Sequence, residues 1–108
     1  MNPPSPIVDG FALSGVSSPP DPATHAYRKD LADTALAGRV IASHYAEPLV
    51  RDIIGDAPAF ATPSFDSEQV GMVKTGEQLR MLDCSLGWAW GYLPSGRVGY
   101  LGSAVVRV

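Results

Sequence analysis

From Gly55 onward the chain breaks into short apolar runs separated by turns carrying glycine or proline. Runs of this length recurring at roughly 8–12 residue spacing predict a mainly β fold, a small barrel or sandwich. Strands are expected at Ala57–Thr62 (interrupted by Pro58 and stopped by Pro63), Gln69–Val73 and Gln78–Cys84, with Ala104–Val108 closing the chain. Phe65-Asp66-Ser67-Glu68 reads as a polar loop and Lys74-Thr75-Gly76-Glu77 as a turn. Alternation is clearest from Gly87 to Leu101, where both tryptophans and two of the four tyrosines fall. Alternate residues of a strand share a face, so Trp88, Trp90 and Tyr92 line one side and Ala89 and Gly91 the other. Leu93-Pro94-Ser95-Gly96-Arg97 turns the chain back into Val98–Leu101, and this hairpin carries a strip of aromatic rings.

The first half is patterned differently. Asp21–Tyr27 reads as an extended lead-in. Asp30–Gly38 predicts a short helix with Asp30 as N-cap, Leu31 and Leu36 as anchors and Gly38 as the stop. Arg39–Ser43 and Leu49–Ile54 predict two strands separated by His44-Tyr45-Ala46-Glu47-Pro48. Residues 1–22 hold six of the ten prolines, and their only charges are Asp9 and Asp21. A segment so poor in burial capacity predicts a disordered, proline-rich tail, leaving residues 23–108 as one folded domain.

Charge and composition narrow the function. The 108 residues carry a net charge of −3, and the basic residues are scattered singly, which gives no electrostatic footprint for nucleic acid. No Lys or Arg precedes Arg28 and no signal-like apolar run occurs, so a cytoplasmic protein without a membrane span is expected. One cysteine and two separated histidines make neither a disulfide nor a zinc set, and no cofactor or metal is expected.

Five short strands, with Gly87-Trp88 opening one hairpin and Gly99-Tyr100-Leu101 near the end, resemble a bacterial SH3-like domain. The likeness extends through Asp21-Pro22, Ala26-Tyr27-Arg28, Asp30-Leu31-Ala32-Asp33, Leu36, Gly38-Arg39-Val40 and Tyr45-Ala46-Glu47-Pro48. In that order these resemble the start of NlpC-type cell-wall cysteine peptidases, in which SH3-like domains precede the catalytic domain. The resemblance covers residues 21 to about 106. It implies an SH3-like barrel over about 53–108, preceded by a short helix and strand extension. Seven residues follow Leu101, too few for a peptidase domain. The implied function is therefore a non-catalytic module that binds a peptidoglycan stem peptide or gates substrate for a peptidase. The alternative is a module that docks onto a separately encoded peptidase catalytic domain.

Asp83-Cys84-Ser85 is similar to the nucleophile motif of the same peptidases. A catalytic thiolate needs a histidine base held close and a helix N-terminus to lower its pKa. Here Leu86 replaces the family's next glycine, the chain continues as strand, and no histidine follows, so Cys84 is read as a half-buried strand residue and no enzyme is expected. The candidate ligand-binding residues are Trp88, Trp90, Tyr92 and Tyr100 as an aromatic platform, with Tyr45 and Glu47 as polar contacts. Three large rings on one strand exceed what so small a barrel covers, so the strip either lies under residues before position 55 or meets a partner. His44 reads as a hydrogen-bonded structural residue. Arg28 and Arg39 read as partners of nearby aspartates.

Overall fold

The computed structural model describes residues 19–107. Residues 1–18, most of the expected tail, and Val108 lie outside the described residues. Pro20, within that expected tail, is buried, and its carbonyl accepts a 2.7 Å hydrogen bond from the Tyr27 hydroxyl.

The fold is mainly β. Strands β1 (Leu31–Asp33) and β2 (His44–Ala46) form a small parallel pair. Strands β3 (Leu49–Asp52), β4 (Ala57–Phe60), β5 (Gln69–Val73), β6 (Gln78–Ser85), β7 (Trp88–Tyr92) and β8 (Val98–Gly102) form one antiparallel sheet in the order β3-β6-β7-β8-β4-β5. A flat sheet of six strands is about 24 Å across at ~4.8 Å per strand. Yet Ile53, just past β3 at one edge, and Val73 of β5 at the other belong to the same core cluster, together with Ala59, Leu79, Ala89 and Leu101. The sheet is therefore curled around that core. A single-turn 3-10 helix, Ser103–Val105, then returns the chain to β3, where the Ile54 amide donates to Val105 and the Arg107 amide to Asp52.

The helix expected over Asp30–Gly38 is replaced by β1 and a single 3-10 turn, Thr34–Leu36. Nine residues are too few to hold a helix without packing, and tertiary contacts choose otherwise here. Asp33, not Asp30, is the cap, accepting from the Ala35 amide at 3.0 Å. Its second oxygen accepts from the Tyr92 hydroxyl at 2.7 Å, and Asp33 is only 5% exposed. The strand expected at Arg39–Ser43 lies instead at His44–Ala46, where pairing with β1 is available.

Register sets the two faces of the β7–β8 hairpin. Ala89 opposes Leu101, and both are fully buried in the core. Trp90 opposes Tyr100 and Tyr92 opposes Val98 on the outer face. The segment from Ala23 to Asp33 runs as a strap over that outer face. The Val98 amide donates to Ala23, and the Ala26 amide donates to the Tyr92 hydroxyl at 3.1 Å. Ala26, Trp90 and Tyr92 form a second buried cluster, with Leu31 and Tyr100 against it.

Candidate functional site

Where the strap crosses the sheet it delivers Arg28 to the outer face, and Arg28 organises what lies around it. Its guanidinium makes two hydrogen bonds to Asp30, 2.9 and 2.8 Å, a third to Asp83 at 3.1 Å and a fourth to the Tyr100 hydroxyl at 3.3 Å. It also sits 4.3 Å over the Trp90 ring, whose electron-rich face attracts the cation. Burial opposes the charge on Arg28, but the hydrogen bonds to Asp30, Tyr100 and Asp83 outweigh it and hold its pKa above the usual value. The Arg28 hydrogen bond in turn holds the Asp30 carboxyl below the usual carboxylate range, against a smaller effect of desolvation.

These groups line an open cleft of about 750 Å³, with Leu31, His44, Pro63, Ser85, Leu86 and Trp88 completing its walls. Trp88 is fixed by neighbours. Phe65 lies against it at 4.6 Å and Phe60 meets it edge-on at 6.1 Å, a geometry aromatic rings favour. The Ser85 hydroxyl donates to Asp83 at 3.3 Å. Of the charged side chains lining the cleft, one arginine faces two aspartates, so with His44 neutral the site carries a net −1 and prefers a cationic group.

The proposed platform divides. Trp90 and Tyr92 are 3% and 9% exposed, covered by the strap from one side, with Arg80 over Tyr92 at 4.8 Å. Trp88 and Tyr100 are half-buried and reach the cleft. Tyr45 and Glu47 are exposed but do not line it; the Tyr45 hydroxyl donates to the Val40 carbonyl at 2.6 Å and accepts from the Ala42 amide. His44, read as structural, lines the cleft and is exposed. Cys84 is exposed rather than half-buried, because it lies near the tip of the β6–β7 hairpin, and it is not among the lining residues. Asp83, Ser85, Leu86 and Phe65 were missed. A signal existed for Phe65, a large ring in an otherwise polar loop.

Leu86 has φ +54°, the only non-glycine residue with positive φ among the described residues. With Gly87 at φ +84° it makes the two-residue turn between β6 and β7. Leucine in this left-handed region costs about 1–2 kcal/mol, whereas asparagine tolerates it.

No protein-family model, curated protein or solved structure matches the chain. Among the described residues no cluster of His, Cys, Asp or Glu is placed to hold a metal ion, and no helix is long and apolar enough to cross a membrane.

The Arg28–Asp30 pair makes a testable contribution to stability. Because the Asp30 pKa is depressed in the folded state, the stabilisation is present above the unfolded carboxylate value, about 3.9, and is lost as pH falls through the lower folded value. Asp30 is largely exposed, so solvent screens the pair and about 0.5 kcal/mol is expected. Urea melts at pH 6 and pH 2.5 should show a smaller acid loss in Asp30→Asn than in the parent. Equal losses would mean the pair contributes nothing.

Proposed function

We propose that this protein is a non-catalytic binding module whose cleft holds a short peptide with a free amino end, of the kind derived from peptidoglycan stems. The observation that carries this reading is the pairing of acidic and aromatic walls in one open cleft. Arg28 leaves lone pairs free on Asp30 and Asp83, which suit an ammonium group, while Trp88 and Tyr100 offer apolar surface to the peptide beyond it. The polar contact assigned by sequence to Glu47 falls in this reading to Asp30 and Asp83, which would meet the peptide's amino end. A non-catalytic role fits the Ser85 hydroxyl, which donates to a carboxylate rather than to His44, and Cys84, which lies outside the cleft lining. We read the curled sheet as an SH3-like barrel. The β6-β7-β8 meander and the return of the chain from the second 3-10 turn to Ile53, opposite Val106, support it.

An NMR titration with a stem peptide carrying a free L-Ala-γ-D-Glu end tests the reading. Saturable shifts are expected at the Trp88 indole and at the Asp83 and Ser85 amides, weakened tenfold or more by Asp83→Asn. Absence of shifts at these positions up to millimolar peptide would overturn it.

A further inference from the structure

Two exposed surfaces on either side of Arg28 are complementary to one another. The first is a ledge on the cleft wall. Leu86 is 98% exposed at a turn position that asparagine or glycine would occupy without strain, and Phe65 is 72% exposed while locked against Trp88 and Phe60. An apolar side chain held rigidly in water, in a backbone conformation that disfavours it, marks a position chosen for contact rather than for stability. The ledge lies in acidic surroundings. Asp66 and Glu68 are exposed on the Phe65 loop, Asp30 and Asp83 line the adjoining cleft, and the nearby Arg28 is already committed to Asp30 and Asp83.

The second surface has the opposite character. Ile41 is 96% exposed and shares a shallow groove with Tyr27, Val40, Lys29 and Arg39. Neither Lys29 nor Arg39 forms an ion pair among the described residues. An apolar side chain between two free cations is the chemistry that an apolar ledge with an acidic rim accepts. Arg28 lines both the cleft and this groove, so the two surfaces adjoin. Two copies related by a two-fold axis then make the same contact twice and close the assembly.

We propose that a second copy of this chain docks on the Phe65–Leu86–Trp88 ledge through Ile41, Lys29 and Arg39, forming a reciprocal dimer. This goes beyond the peptide-binding reading and does not depend on it. A standard interface takes about a tenth of a small protein's surface, and the surface here totals 5925 Å², so the dimer is small and concentration-dependent.

Sedimentation equilibrium of the whole chain from about 10 µM to about 1 mM tests it. The expected result is a reversible dimer that weakens with salt. Leu86→Asn and Ile41→Asn should each weaken it at least tenfold. Leu86→Asn should melt no lower than the parent, since asparagine suits the turn, so its loss of association is not a loss of fold. An equimolar mixture of the two variants retains one intact contact and should associate more strongly than either variant alone. A parent chain that stays monomeric throughout overturns the proposal, as do variants that associate like the parent or a mixture no stronger than its components.

Discussion

Gly91→Ala should cost the domain about 3 kcal/mol or more, the upper end of what overpacking does in a core. A β-carbon built at Gly91 would lie 2.1 Å from the Arg80 carbonyl oxygen and 2.9 Å from the Met81 α-carbon. Strand β6 has a register irregularity between Met81 and Asp83, which brings its backbone across Gly91 of β7. The obstacle is main chain in the centre of the sheet, so no rotamer change relieves the clash. Either the β6–β7 ladder opens or the hairpin shifts away from the core that Ala89 fills. With total stability of about 5–15 kcal/mol for a domain of this class, the melting temperature should fall by roughly 10–20 °C. Urea denaturation followed by tryptophan fluorescence measures it. A loss below 1 kcal/mol would mean that the two strands are not in this register. Gly76 and Gly96 are glycines for another reason, their positive φ at turns, with open space around them.

Removing the carboxylate that pins the strap should have the second largest effect. Asp33→Ala leaves the Tyr92 hydroxyl and the Ala35 amide without acceptors, one of them in a buried cluster. Orphaned buried groups cost about 1–3 kcal/mol each, so a loss of about 2–4 kcal/mol is expected. Tyr92→Phe should cost a similar amount, because it keeps the ring but leaves the buried Ala26 amide and the Asp33 carboxylate without their partner. Amide exchange at Ala26 separates this from a general loss of packing. It should accelerate sharply in both variants, while Leu79 and Leu101 in the other cluster change only with global stability. Unchanged exchange at Ala26 would show that the strap is held by something else.

Tyr92 adds a pH signature to that contact. Burial pushes its pKa up, with the hydrogen bond to Asp33 acting in the same direction and the one from the Ala26 amide opposing. A raised folded value means the stabilisation is intact below the unfolded tyrosine pKa near 10 and is lost as pH rises through the folded value. The parent should therefore weaken in the alkaline range more than Tyr92→Phe does, and parallel curves would remove Tyr92 from the account.

The strands between Ala57 and Gly102 were legible because their signals are local, whereas the closing segment read with them, Ala104–Val108, begins in a 3-10 turn. Glycine at turn positions and period-two alternation located β5 at Gln69–Val73 and separated the faces of β7, so that Ala89 lies inside and Trp90 and Tyr92 outside. The first half was less legible, since β1 and β2 are three residues each and exist through contacts rather than propensity. The roles of Asp30 and Asp33 could not be told apart by spacing alone. One is an exposed partner of Arg28, the other a buried acceptor for a hydroxyl 59 positions away. Arg28 pairing with Asp30 was readable at two residues' separation, whereas its reach to Asp83, 55 residues on, was not. The aromatic strip was visible as composition. Which rings stay available, Trp88 and Tyr100 rather than Trp90 and Tyr92, depended on where the strap crosses.

The strap also imposes an order on biosynthesis. Arg28 leaves the ribosome 72 residues ahead of Tyr100, and Asp33 is 59 ahead of Tyr92. At roughly 5–20 residues per second, about 3–12 s pass between Asp33 and Tyr92. During that interval Ala26 and Leu31 have no surface to cover, and the curled sheet still lacks two of its central strands. Folding of this domain thus waits until the strands through Gly102 have emerged. A nascent chain stalled before Trp88 exposes the apolar sides of β3 to β6 with nothing to close them, which makes such truncated products natural targets for chaperones and proteases.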